Sequence, residues 1–319
     1  SIFQEDLFRA LLITILLAAI VIYYQYKNVN KSLILVVSIG VLLFDLLGVS
    51  SRYITRDAFV NPSRAAIPFQ ITGADQAIQQ DSSRYRVFEP QRGLTGARTA
   101  FFHNSLGGYH GAKPRRFEEL FEYYNTHQIS GILDFLNVKY VLIADQEQNA
   151  LQPLNNPRAL GNAWIVDKVK VVPSADALLE SLKTTDFLSE ALVIDNAYPK
   201  ELLMEYDKDS LTTIELVKSS PDNLVYEIES KSPQFAVFSE MYYPQGWSAT
   251  VNGKNSPIVN VNYVLRGLEV PSGTSTVIFS FEPQVVIQGT RLRWGSLILF
   301  ILILGGIYFQ QSRTKTLVA

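Results

Sequence analysis

The chain has 319 residues, 47% of them hydrophobic and 18% charged, with a formal net charge of −2. An ordinary soluble protein carries about 25% charged residues, and here the deficit sits at the two ends, because residues 50–290 hold 21 of the 28 Lys/Arg and 27 of the 30 Asp/Glu. A water-soluble block between apolar ends excludes a plain cytosolic enzyme, a disordered protein and a bundle made only of membrane helices.

The apolar ends come first. Ala10 to Tyr26 is uncharged for 17 residues, without the small-residue cleavage site of a signal peptide. Ser32 to Ser51 is a second run, broken only by Asp45, and Trp294 to Ser312 is a third, uncharged for 19 residues. Each is close to the roughly 20 residues needed to cross a bilayer. Asp45 does not cancel its span. A central Asp costs about 2.5 to 3.5 kcal/mol, whereas each Leu, Ile, Phe or Val returns about 0.3 to 0.6, and twelve of these lie between Leu33 and Leu47. An intramembrane carboxylate is a functional candidate by default. The plainer role for Asp45 is an interfacial pair with Arg52 or with a neighbouring helix.

A short polar link around Lys27 to Lys31 makes the first two spans a hairpin. Lys27 and Lys31, and Arg313 and Lys315 after the third span, have no acidic neighbours, so the positive-inside rule puts both sets in the cytoplasm. Residues 50–290 are then expected outside, in a multi-pass protein of the bacterial cytoplasmic membrane. Because the chain opens on Ser1 close to an apolar run, it is expected to be a fragment or processed chain.

In the soluble block, Arg84 to Phe88 and Val138 to Ala144 read as strands. Arg115 to His127 has Phe117, Leu120, Phe121 and Tyr124 at helical spacing. Ala163 to Val172 reads as one strand, Ser174 to Thr184 as a helix capped by Ser174, and Leu192 to Asp195 as a short buried strand. From Leu211 to Pro283 the pattern changes to seven short strands, with Asn252-Gly253 as a hairpin signal between two of them. The expected fold is therefore membrane α-helices, an α/β extracytoplasmic domain and a C-terminal all-β sandwich. The expected divisions are 1–49 for the hairpin, 50–205 for the α/β domain, 206–290 for the sandwich and 291–319 for the last helix and a short tail.

The chemistry is less marked. There is no cysteine, hence no disulfide or thiolate metal site, and no Walker, GxGxxG, GxSxG or HExxH pattern. Residues 84–116 carry Arg84, Arg86, Arg92, Arg98, Lys113, Arg115 and Arg116 against Glu89 alone. Residues 117–290 carry 11 basic and 23 acidic side chains. Such a basic stretch suits a phosphate-bearing ligand or a lipid headgroup; the alternative is internal pairing with the acidic remainder. Within Ala100 to Arg116, glycines at 107, 108 and 111 accompany His103, Asn104, Tyr109, His110 and Lys113, which supply donors and acid/base groups. The bland counterpart is a glycine-rich turn packed on the sandwich. Two histidines seven apart without a nearby carboxylate are poor metal spacing, so no metal and no cofactor is expected. A net-acidic outer domain also argues against nucleic acid as a partner.

DLLGVSSRYI at the end of the second span, then FFHNSLGGYHGAKPRRFEELFEY, ILDFLNVKYVLI, GNAWIVDKVKVV and YYPQGWSATVNGKNSPIVNVNYVLRGLEVPSGTSTVIFSFEP follow in that order. Together they resemble the C-terminal part of YfhO-type bacterial membrane proteins. That family is similar to GT-C-type glycosyltransferases, which take a polyprenyl-phosphate sugar at the outer membrane face to modify envelope polymers. The resemblance implies a docking role for this portion, with Lys113, Arg115 and Arg116 on phosphate and Tyr109, His103 and Asn104 on sugar or polymer. It implies partners in the bilayer, a lipid-linked sugar or envelope glycan, and an N-terminal transmembrane part of the same protein. In such enzymes the catalytic carboxylate usually lies in an early outer loop that this sequence lacks, so the catalytic residue stays unknown. The competing expectation is a non-catalytic, membrane-anchored scaffold that binds glycan or protein.

Overall fold

The computed structural model describes residues 2–26, 30–54, 56–59, 61–62, 69–145, 150–195, 199, 203–207 and 209–316. They form two compact units, Ser1–Gln70 and Ile71–Ala319.

The first unit is a pair of helices, α1 (Ile2–Tyr26) and α2 (Lys31–Tyr53), followed by a short 3₁₀ turn at Arg56–Ala58. Asn30 caps α2 by accepting a hydrogen bond from the Ser32 N–H. Asp6–Tyr26 and Ser32–Tyr53 are long and apolar enough to cross a membrane, with mean hydropathy 2.3 and 2.5 and no buried face within the protein. Charged side chains within this unit find one another. Arg9 lies 3.1 Å from Asp45 and 3.4 Å from Asp6, and Arg52 lies 2.6 Å from Asp6. The partner of Asp45 is thus Arg9 on the neighbouring helix, while Arg52 takes Asp6. Pairing offsets the desolvation cost that an isolated charge would carry there. Of the cations that orient the spans, Lys27 lies outside the described residues, as do the side chains of Lys31, Arg313 and Lys315.

The second unit opens with α3 (Gly73–Gln79), β1 (Arg86–Phe88), a 3₁₀ segment (Pro90–Thr95), α4 (Ala97–Phe102), α5 (Arg115–His127) and α6 (Ser130–Phe135). Next come β2 (Val138–Asp145), β3 (Ala150–Asn155), β4 (Ala163–Val166), β5 (Lys168–Val172), α7 (Ala175–Ser181) and β6 (Glu190–Ile194). Eight strands follow: β7 (Thr213–Ser220), β8 (Asn223–Ser230), β9 (Gln234–Met241), β10 (Trp247–Val251), β11 (Lys254–Ser256), β12 (Val259–Val261), β13 (Leu265–Val270) and β14 (Gly273–Phe281). The unit ends in α8 (Gln284–Thr316), of which Gln284–Gly306 can cross a membrane. That helix extends N-terminally of Trp294, through Arg291 and Arg293, because nothing after Pro283 interrupts it.

A β-sandwich dominates. Its sheets run β11-β10-β14-β8-β7 and β12-β13-β9-β4, antiparallel throughout. Beside it, β1 pairs parallel with β2, which pairs antiparallel with β3, and β5 pairs parallel with β6. Two strand-like runs turn out to be broken. Ala163 to Val172 divides at Asp167, where the Asp167 and Lys168 N–H groups both donate to Ser189 O and steer the chain from β9 to β6. The run from Ser256 to Val261 divides after Ser256, because Pro257 has no N–H to continue the ladder, and β11 and β12 fall in different sheets.

The four-stranded sheet is covered on both faces. Toward the other sheet, Ile165, Ala236, Phe238, Leu268 and Val270 join Leu224, Tyr226, Val277 and Phe279 in one core. Its reverse face places Trp164, Val166, Phe235, Val237 and Leu265 against helix residues such as Phe117, Leu120 and Phe135. β9 is therefore an apolar run rather than an alternation. Strand β4 comes from the N-terminal side of residue 206 and the other three strands of its sheet from the C-terminal side, so one sheet joins the α/β and sandwich sequences. Asn252 and Gly253 both have positive φ, 52° and 76°, as a two-residue type I′ hairpin requires.

Candidate functional site

The glycine-rich stretch is shaped by close approach. A Cβ on Gly107 would stand 2.6 Å from the Leu94 backbone, so only glycine permits the contact. Gly108 N–H donates to Leu94 O, Leu106 N–H to Val87 O, and Val87 N–H to Asn104 O. These bonds fasten residues 104–108 along β1.

Ahead of them, His103 points inward. Its Nε2 lies 2.9 Å from the carboxylate of Asp75, which is fully buried at the first turn of α3. Asp75 also accepts from the Thr72 N–H, the Thr72 hydroxyl and Arg98. Burial pushes the Asp75 carboxyl up, but the bonds from Thr72, His103 and Arg98 outweigh it and hold the group below its ordinary value. His103 is thus a fixed wall of the site.

Two clefts share that wall. One, of about 330 Å³, is lined by Arg84, Arg86, His103, Asn104, Ser239 and Glu240 among others. A second, of about 450 Å³, is lined by Asp81, Ser83, Tyr85, Phe101, His103 and Asn104 among others. Tyr85 donates to Ile78 O, and Tyr140 and Lys139 both engage Asp81, whose carboxyl they and Ser83 hold well below the usual carboxylate range.

In the first cleft, Arg84 lies 3.0 Å and Arg86 3.9 Å from Glu240 at the end of β9. Arg86 donates further to Leu136 O, Ser239 Oγ and Ser239 O. Arg266 stands near, its guanidinium 3.9 Å over the Trp247 ring while its Nε donates to Met241 O. Asn137, with φ of 55°, ends α6 in the left-handed region and donates to Arg84 O.

Of the seven cations in residues 84–116, five are paired internally: Arg84 and Arg86 with Glu240, Arg92 with Glu89, Arg98 with Asp75, and Arg115 with Glu119. Among the residues expected from sequence, His103 and Asn104 line the clefts. Tyr109 and His110 are exposed and Lys113 is half-buried, none of them in the cleft linings. Arg115 bonds Glu119 within α5, and Arg116 lies over the Tyr263 ring. Tyr263 donates to Glu119, and burial, then that bond, pushes its phenol up to about 12. Sequence reasoning missed Asp75, Asn137, Ser239 and Glu240. The available signal was a lone acid closing an apolar strand, Glu240 after FAVFS, opposite the alternate arginines of RYRVF.

These features define a membrane-anchored protein that carries a β-sandwich fused to an α/β layer with a polar, arginine-lined cleft. The family model described as bacterial membrane protein YfhO matches residues 200–292, strands β7–β14 and the start of α8, so this region is that of a YfhO-type bacterial membrane protein. No curated protein and no solved structure matches the chain.

Proposed function

We propose that this chain is the extracytoplasmic C-terminal portion of a glycosyltransferase of the bacterial cytoplasmic membrane. In this reading it docks a polyprenyl-phosphate-linked sugar or the envelope polymer that receives the sugar. The observation that carries the proposal is the pair of polar clefts meeting at His103 and Asn104, in the same unit as a helix that can cross a membrane. Hydroxyl, amide and guanidinium groups around a cavity of this size are the partners a sugar phosphate requires. Exposed Tyr109 and the cations Lys113, Arg115 and Arg116 follow the cleft residues along the chain.

In cells carrying the complete protein, replacing Lys113, Arg115 and Arg116 together by Ala should abolish envelope glycosylation while the protein accumulates normally. Unchanged product would refute the docking role of these residues.

A second reading, a non-catalytic scaffold that holds glycan, is favoured by a separate cleft of about 350 Å³ on the sandwich. Tyr242, Tyr243, Trp247, Asn255 and Ser256 line it, an aromatic and amide mixture suited to a sugar ring. Glycan binding without any sugar transfer by the complete protein would select it.

A further inference from the structure

We propose that Arg84, Arg86 and Asn104 form a binding site for a phosphate-type oxyanion in the smaller of the two clefts. The site rests on its own geometry; only the identity of the molecule bearing the phosphate rests on the docking reading above.

The charge balance carries the argument. Arg84, Arg86 and Arg266 gather around Glu240, and Glu240 is the one carboxylate in the lining of this cleft. Asp75, behind the shared wall at His103, is already taken by Arg98, Thr72 and His103. The phenols nearby are Tyr85, which lines the cleft, and fully buried Tyr226; burial pushes the ionisation of both up, so neither adds negative charge. Burial pulls Arg86 down and Arg266 down to about 10, and Arg266 stays cationic at neutral pH. Arg84 and Arg86 against one carboxylate, with buried Arg266 behind them, leave a net positive charge on side chains only 32% and 23% exposed. Such an excess is costly unless an anion answers it.

The donors are uneven in how they are used. Arg86 is held rigidly by Leu136 and Ser239. Arg84, in contrast, has a buried Nη1 that meets no acceptor among the described residues, and so has Arg266. Buried donors are almost always satisfied in native proteins, and Arg84 lines the cleft. Across from it, Asn104 is exposed, with its backbone carbonyl fixed to Val87. A planar guanidinium paired through Nη2 with Glu240, a second anchored guanidinium and the amide of exposed Asn104 match the several acceptor oxygens of a phosphate. At about 330 Å³ the cleft admits the phosphate and part of what it is attached to.

The test measures binding to the intact chain purified in detergent or nanodiscs, by isothermal titration and by tryptophan fluorescence. One arm uses soluble glucose 1-phosphate and inorganic phosphate. The other uses phosphatidylcholine nanodiscs with and without undecaprenyl phosphate. Saturable binding in either arm supports the site, and the arm that binds tells whether the phosphate is free or lipid-borne. Arg84→Ala should weaken binding at least tenfold. Because that change also removes the closer of Glu240's two arginine partners, Asn104→Asp is the second variant; it sets a like charge in the cleft at an exposed position and should weaken binding severalfold with the melting curve unchanged. Absence of binding in both arms, or equal binding by wild type and Asn104→Asp, would overturn the site. A variant that loses the wild-type phosphate binding yet supports normal glycan product in cells would leave the site standing and refute the docking reading instead.

Discussion

Replacing Asp75 by Ala removes the group on which the cleft wall hangs. The carboxylate accepts from the Thr72 N–H at 2.8 Å, the Thr72 hydroxyl at 2.7 Å, His103 at 2.9 Å, and Arg98. After truncation, Arg98 and His103 remain with side chains 15% and 2% exposed and no carboxylate to face. Breaking one side of a buried ion pair costs about 3–5 kcal/mol. For a unit of this size that corresponds to a fall in Tm of about 6–20 °C. Fluorescence of Trp164 and Trp247, both within the sandwich strands, follows the transition in detergent. Asp75→Asn, which keeps the volume and one acceptor, should fall between. The sign with pH is set by the lowered pKa: the stabilisation is fully present above the ordinary value of 3.8 and is lost as pH falls through the folded value. The gap between wild type and Asp75→Asn should therefore be constant above about pH 5 and shrink in stronger acid. A Tm for Asp75→Ala within about 2 °C of wild type would refute the claim that this network anchors the wall.

Other substitutions probe separate parts of the fold. A methyl at Gly267 would stand 2.7–2.8 Å from Phe235 and Val261, both fully buried, so Gly267→Ala should cost about 1–3 kcal/mol by overpacking, read as a lower denaturation midpoint. Asn262 accepts from the Leu192 N–H at 2.9 Å in the core. Asn262→Ala should lose about 1–3 kcal/mol and expose the β6 amides to faster hydrogen exchange. In the hairpin, Arg9→Leu leaves Asp45 without its partner, so less protein should insert into membranes, and Arg9→Leu with Asp45→Leu should restore insertion.

Sequence alone carried the parts of the fold that depend on near neighbours. Apolar runs mark all three spans because bilayer crossing is decided by summed hydropathy, and Asn252-Gly253 marks its turn because few residues accept positive φ. Ser174 caps its helix as its side chain predicts, accepting from the Ala177 N–H. What stayed hidden were the long-range choices. Nothing local says that β4 leaves its neighbour β5 to pair with β9, or that Pro257 moves the chain between sheets. For the site, the basic excess in residues 84–116 was legible, but not its partition. Which arginines meet an acid depends on Asp75 before the stretch and Glu240 far after it. Thus Arg84 and Arg86, set two residues apart at the entry to a short strand, reach the cleft, while Arg115 is spent on Glu119 one helical turn away.

The most direct test of the docking proposal is photo-crosslinking in native membranes. A polyprenyl-phosphate sugar carrying a diazirine on its headgroup would be activated in cells expressing the complete protein, and adducts mapped by mass spectrometry. The account expects adducts on peptides within residues 84–116, diminished by unlabelled lipid-linked sugar and by Asn104→Asp. Adducts confined to the membrane helices, or labelling of residues 84–116 that excess unlabelled donor does not reduce, would contradict it.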